Sequence, residues 1–409
     1  MVSSSPHRSS GKMFTAIQIC WGAFLISLFL PMKFHVEESG SFWSGIFSPF
    51  STVFWPPSFF IFGFLLIILG IWNLGSIHDA KHKEKIPHSL IFSWSFFLVV
   101  GSISLWGGNV SGAALNFLLK WCMVGGIFYG IIHHFFRETS FVSVLAYIGL
   151  FEALLGISQT LFSFFSPEIF PIGDPVLRTP FGEIWRATGT LEHPNILGFF
   201  LVFVFFLLLE NIQKWRVLRI LLVLGIFCTF SKATLIALII GSIASFDTLD
   251  KIDKRIVSFI ILSVLSVFVI FFRHTFDNMS VSESERILQI FVSFQIFLKH
   301  PIFGLGLGNS LSEAVKIVPI FPWQLQPVHN VFLLILSETG IVGFLIFAFL
   351  SGSIIRKIFA NADPKRRKLF FGISAAVCTF ALFDHLLITS TLGMILFGIY
   401  AGLVFQNED

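Results

Sequence analysis

Charged residues are scarce in this chain. Of 409 positions, 27 are Lys or Arg and 23 are Asp or Glu, 12% in all, where soluble proteins carry about a quarter. So few charges cannot clothe a globule of this length in polar surface, which excludes a soluble enzyme and a disordered chain. Cysteine is also sparse. Cys20, Cys122, Cys228 and Cys378 lie far apart inside apolar runs, and none has C-x-x-C spacing. A zinc module and a secreted disulfide scaffold are excluded with them. Such cysteines are expected to act as small hydrophobes facing lipid or the core. Repeats of about 20–50 residues are absent, as are low-complexity tracts. The net charge of +4 is too small to point to nucleic acid. Its placement says more than its size.

What fills the chain is apolar: 55% of the residues, 55 of them Phe, with a mean hydropathy of +0.86. A transmembrane helix needs about 20 mostly apolar residues. Runs of that kind lie at 14–30, 57–74, 89–106, 112–132, 140–163, 192–210, 217–230, 233–246, 256–272, 329–351, 369–388 and 390–405. The seventh and eighth are short and meet at Ser231-Lys232. Merging them would move every later loop to the other side, so charge decides. With the N-terminus inside, the inside loops hold 18 basic residues, among them Lys81, Lys83, Lys85, Lys214, Arg216, Arg219 and the run Arg356 to Lys368. The outside segments hold 8, although they include the longest loops. That asymmetry is the positive-inside pattern, and it requires two separate spans.

The expected fold is therefore all-α: a polytopic integral membrane protein of about 12 transmembrane helices, both termini cytoplasmic. A long outside loop, 273–328, separates spans nine and ten. The first run has a basic start but ends in Leu30-Pro31-Met32-Lys33 without a small-residue cleavage site, as an uncleaved signal anchor does. No soluble domain is expected at either end. Within 273–328, Ser282-x-x-Glu285 is a capping box. Arg286, Gln289 and Ser293 follow on one helical face with Ile, Leu, Phe and Val around them. This predicts an amphipathic helix at the outer membrane surface, ended by His300-Pro301.

Ionisable groups are costly near lipid, so each is a functional candidate. They collect on the outside. Arg186 precedes span six, Lys232 sits at the turn between two short spans, and Arg286 lies on the amphipathic helix. His329-Asn330 opens span ten, and Asp384-His385 lies in the outer third of span eleven. Three fixed cations beside a histidine at the outer lipid surface suit a ligand with a membrane-bound anionic headgroup.

Four motifs, in order, carry a resemblance. They are Arg186 to Gly198 (R-A-T-G-T-L-E-H-P-N-I-L-G), the turn Phe230-Ser231-Lys232-Ala233, the segment Leu298 to Ser310 (L-K-H-P-I-F-G-L-G-L-G-N-S), and His329-Asn330 followed by Ser337-Glu338-Thr339-Gly340. Together they closely resemble the core of the O-antigen ligase and O-antigen polymerase superfamily over about residues 140–400. Residues 1–139, spans one to four, match in character only, which divides the chain into N-terminal membrane helices and a core at 140–409. The resemblance implies a bacterial inner-membrane glycosyltransferase of surface polysaccharide or lipopolysaccharide biosynthesis. It would take a glycan from undecaprenyl pyrophosphate on the outer face and join it to an acceptor hydroxyl.

By matching position, His329 would be the essential histidine, and Arg286 and Lys232 the basic groups at the donor pyrophosphate. Members commonly have Arg where Lys232 stands; Lys keeps the charge but not the bidentate geometry. Arg186 is the third candidate cation. Asp384, His385 and Asn330 are candidates for orienting the acceptor or lining the cavity. The chemistry asks for these types. Fixed cations neutralise the leaving pyrophosphate, and a histidine at a helix N-terminus is kept neutral and able to act as base. The scheme requires no metal, no nucleotide sugar and no other cofactor. The partners are the lipid-linked donor, a glycolipid or glycan acceptor and the bilayer.

The resemblance covers a ligase, the preferred reading, and a polymerase, whose acceptor is a second lipid-linked glycan. A transporter of lipid-linked sugars is the competing class. It needs a polar path through the membrane, and the deep spans carry only Lys120, Glu152 and Glu338. Lys120 and Glu152 read as a structural ion pair. Glu338 lies nine residues after His329, on the opposite helix face and about 13 Å deeper, so it is not the histidine's partner.

Overall fold

The computed structural model describes residues 34–36, 53–55, 88–103, 112–132, 138–165, 176–179, 182–191, 193–211, 214–246, 281–318, 326–361 and 363–406. The expected spans 14–30, 57–74 and 256–272 lie outside the described residues. What is described is helical, apart from two short antiparallel hairpins. One pairs β1 (Phe34–Val36) with β2 (Val53–Trp55), the other β3 (Val176–Thr179) with β4 (Gly182–Trp185). The helices of the first half are α1 (His88–Ile103), α2 (Gly112–Ile132), α3 (Glu138–Phe165), α4 (Pro194–Leu207), α5 (Arg216–Cys228) and α6 (Lys232–Ala244). Then come α7 (Val281–Lys299), α8 (Ser310–Ile317), α9 (Val331–Ala360), α10 (Pro364–Phe383), the single turn α11 (Leu386–Thr389) and α12 (Thr391–Phe405). The segments Val142–Ser163 and Val331–Ala360 are long and apolar enough to cross a membrane; Pro194–Glu210, Lys232–Ala244 and Thr391–Phe405 are apolar but shorter.

Helix α4 is the axis of the fold. All of its residues are buried, as befits a helix that is apolar all round. It packs against α3, α5, α6, α10 and α12. Phe199 stacks on Phe380 of α10 with ring centroids 4.4 Å apart. Helices α6 and α10 cross closely because Gly241 and Gly372 face each other: a Cβ at Gly372 would meet the Gly241 carbonyl at 3.0 Å. Small residues at crossings are how apolar helices pack when lipid competes for their side chains.

Directions alternate. At one end of the bundle Tyr147 meets Trp215, Lys365 donates to the Glu210 carbonyl, and Phe128 meets Phe405. At the other end Thr160 reaches the Cys228 carbonyl and Lys120 the Thr389 carbonyl. The chain reverses between α5 and α6, turning at Thr229–Ser231, so the seventh and eighth runs are two helices. Some expectations change. Lys120 is held by the Thr389 carbonyl at 2.8 Å, while Glu152 accepts from the Thr190 hydroxyl and amide. The expected pair between them does not form, because the two side chains are claimed by different loops. Arg219 and Arg366, counted among loop cations, are buried within the bundle. Asp384 and His385 stand in the break after α10 rather than within a helix.

Helix α9 is interrupted at Gly340, with φ 64° and ψ −169°. The break frees backbone groups on both sides, and the glycine-rich loop 301–306 takes them. Leu305 and Gly306 donate to the carbonyls of Ser337 and Glu338, and Ile341 and Val342 donate to Pro301 and Ile302. Glu338 then accepts from the Ser310 hydroxyl at 2.7 Å at the start of α8. Backbones approach so closely that a Cβ at Gly340 would lie 2.3 Å from the Ile302 carbonyl oxygen, and one at Gly304 2.3 Å from the Glu338 carbonyl carbon. Gly340→Ala is therefore expected to destabilise the fold by about 2–4 kcal/mol, combining the backbone conformation with the clash. Thermal unfolding of purified protein in detergent measures this; an unchanged midpoint would mean the loop does not hold the break.

Candidate active site

Segment 326–330 runs into α9 and carries His329 to its N-terminus. Asn330 caps that helix, its Oδ1 accepting from the Leu333 amide at 2.9 Å while its Nδ2 donates to the Leu382 carbonyl at 3.1 Å. One side chain thus joins the start of α9 to the end of α10. His329 is half-buried, and its Nδ1 lies 2.7 Å from Gln289 Oε1 on α7. A carbonyl oxygen only accepts, so Nδ1 carries the proton and Nε2 keeps its lone pair. Burial, then the neighbouring His385 ring and the Arg286 guanidinium, hold His329 below the usual imidazole range, with Asp384 opposing. The positive end of α9 acts in the same direction.

His385 packs its ring edge-on to His329, centroids 4.9 Å apart, and its Nδ1 lies 2.7 Å from Thr389 Oγ1. Asp384 is buried and fully engaged: Oδ1 accepts from the Leu386 amide and Oδ2 from Asn195 Nδ2 at 2.5 Å. Asn195 accepts in turn from Arg186 at 3.0 Å, and Arg186 also donates to the Thr229 carbonyl at 3.0 Å. The His193 ring caps α4 by accepting from the Asn195 amide. Loop 187–191 is pinned from α3, where Gln159 accepts from the amides of Thr188 and Gly189. After Thr229, Phe230 adopts φ 45°, an uncommon conformation for a bulky residue. It turns the chain into Ser231, the N-cap of α6, and Lys232 follows on the exposed side of that turn.

Most of the residues singled out in the sequence converge. His329 and His385 meet directly, Arg286 is close enough to act on both rings electrostatically, and Asp384, beside His385, connects through Asn195 to Arg186. Lys232 shares the turn that Arg186 touches but keeps its side chain exposed. Gln289 and Asn195 complete the site and were read only as a helix-face position and a motif member. Their signal was spacing: Gln289 is three residues after Arg286, and Asn195 follows the His-Pro pair that starts α4. Among the described residues, no group of three His, Cys, Asp or Glu side chains is arranged to hold a metal ion. The arrangement offers one neutral imidazole with a free nitrogen, a cation beside it, and a second cation held by a buried polar chain. Such a set accepts a proton from a hydroxyl and stabilises an anion nearby.

No curated protein matches this chain. Residues 217–348 match a family model described as O-Antigen ligase. That stretch includes Lys232, Arg286, Gln289, His329 and Gly340; Arg186, Asn195, Asp384 and His385 are gathered to it from outside. Over residues 217–348 the chain is thus similar to the O-antigen ligase family.

Proposed function

We propose that the chain is a membrane glycan transferase of surface polysaccharide synthesis, moving a glycan from undecaprenyl pyrophosphate to an acceptor hydroxyl. One observation carries the reading: within the O-antigen ligase segment, a neutral His329 is locked by Gln289 beside Arg286. In the reaction the acceptor oxygen bonds to the anomeric carbon as its proton passes to His329 Nε2. The bond from that carbon to the pyrophosphate oxygen breaks, and its electron pair leaves on the phosphate. Arg286 and Arg186 neutralise that charge, and Lys232 adds to the field from the exposed side. Attack opposite the leaving group inverts the anomeric centre. Asp384 and Asn330 act as positioning residues, since their hydrogen bonds are committed to Asn195, Leu386, Leu333 and Leu382. The site faces the outer leaflet of a bacterial inner membrane, in a chain of twelve spans with both termini cytoplasmic. The alternating helices and the basic loops support that placement.

His329→Ala is expected to reduce transfer by about 10²–10⁴-fold, the typical general-base contribution, while the lipid donor still binds. Transfer at the parent rate would reduce His329 to a capping residue. Because the free enzyme holds this ring neutral, the acid limb of kcat/KM should fall below about pH 6.5, the ordinary imidazole value. A pH–rate profile bending at or above that value contradicts the assigned base. Lys232→Arg should keep most activity. Lys232→Ala should raise the donor KM only a few-fold, because an exposed, screened charge contributes about 1 kcal/mol or less.

Sidedness is tested separately. Cysteine at exposed Ser312 is expected to react with an impermeant thiol reagent added to intact cells, and cysteine at exposed Lys365 only after lysis. Labelling of both from outside would overturn the proposed topology.

A further inference from the structure

The proposed reaction gives no task to one buried cation. Lys120, on α2, is 8% exposed, and among the described residues it is the only buried lysine. An ammonium group is costly to bury, and ionisable side chains within membrane helices are kept where they serve a site. The next residue, Trp121, fixes this part of α2. Its indole is buried and edge-on to Trp94, Phe97 and Phe347, with ring centroids 5.5, 5.0 and 6.5 Å away. From that rigid platform Lys120 Nζ donates to the Thr389 carbonyl at 2.8 Å.

Thr389 closes α11, a turn of four residues. A helix that short makes few bonds of its own and has to be held from its ends. Asp384 fastens the start, accepting from the Leu386 amide at 2.9 Å. Lys120 fastens the other end, where the last carbonyls of a helix find no partner within it. Gly393 lets α12 begin hard against the turn, since a Cβ there would lie 2.3 Å from the Leu386 carbonyl oxygen. The Thr389 hydroxyl reaches back to His385. Its one proton goes to the His385 carbonyl at 3.2 Å, so His385 Nδ1, at 2.7 Å, donates to the hydroxyl oxygen.

The ring held in this way meets the base. Gln289 fixes His329 at one atom, Nδ1, and a single hydrogen bond leaves an imidazole able to tilt about it. The His385 ring, edge-on with centroids 4.9 Å apart, closes that freedom. We infer that Lys120 is a positioning residue of the transferase: through Thr389 it holds the His385 ring against His329 and so sets the direction of the basic nitrogen. The assignment rests on the transferase reading above. It adds that α2, outside residues 217–348, bears on the chemistry without touching a substrate. A base aimed wrongly loses rate rather than affinity, so the signature lies in kcat.

The test uses full-length protein in detergent, an undecaprenyl-pyrophosphate-linked oligosaccharide as donor, and the glycolipid fraction of the parent membrane as acceptor. Lys120→Met keeps the length of the side chain and removes the donor. Thr389→Val keeps the shape and removes the hydroxyl, whereas Thr389→Ser retains it. Lys120→Met and Thr389→Val should each lower kcat about tenfold with both KM values changed less than about twofold. Thr389→Ser should stay within about twofold of the parent. His385→Gln should lower kcat at least as much as Lys120→Met does. In that background Lys120→Met should cost no more than about twofold further, because its effect passes through the ring already removed. A loss that persists undiminished in the His385→Gln background marks Lys120 as a residue of the fold alone and overturns the inference. So does Lys120→Met or Thr389→Val at the parent kcat, or Thr389→Ser as slow as Thr389→Val. In each of these cases an active parent protein leaves the transferase reading intact. A parent protein that releases no undecaprenyl pyrophosphate overturns both.

Discussion

The break in α9 at Gly340 is the constraint on which the rest of the site depends. A continuous helix would keep its amide and carbonyl groups to itself and offer nothing for the 301–306 loop to bind. With φ at 64°, four backbone hydrogen bonds pass between helix and loop instead. The loop then fixes where α7 ends and α8 begins, and the Glu338 carboxylate fastens Ser310 at the head of α8. Helix α7 packs against α9. That is how Gln289 and Arg286, some forty residues before His329 in the chain, arrive beside it. The glycine-rich segment is the joint that fastens the loop to the broken helix beside His329.

A second anchor holds the other half. Asn195 links the start of α4, the most buried helix, to Asp384 at the end of α10, and Arg186 fastens the same amide to the turn after α5. Asn330 ties α9 to α10 on the opposite side. His329, its neighbouring imidazole and one cation are therefore held by side chains that bridge helix ends rather than by loops alone. Preorganisation of this kind spares the reorganisation that water would otherwise require as charge develops.

Much of this was legible in the sequence, and for physical reasons. Apolar runs mark helices because lipid-facing and core-facing positions are both apolar, so α2, α4 and α12 fall where the runs do. The reversal at Ser231-Lys232 was legible from charge placement, since a single span would have mixed the basic loops. The separation of Glu338 from His329 followed from helical geometry. Partners across space were not legible. Lys120 and Glu152 have matching charges and similar depth, yet the Thr389 carbonyl and the Thr190 loop reach them first. Arg219 and Arg366 look like loop cations because nothing in their neighbours' identity reveals that the bundle closes over them. Gln289 shows only that it shares a helix face with Arg286; that its amide meets an imidazole forty residues away is a fact of tertiary packing.

Helices α5 and α6 have thirteen residues each, a length of about 20 Å at 1.5 Å per residue, well short of the roughly 30 Å hydrocarbon core. The turn between them carries the carbonyl that Arg186 grips and the exposed Lys232. A bilayer meeting this pair must dip or thin toward the turn, while longer neighbours such as α3 and α9 hold the surrounding surface at full height. The protein thereby creates a notch in its own membrane boundary. Hydrophobic mismatch, usually a small burden on a membrane protein, here falls at the turn that carries the basic side chains.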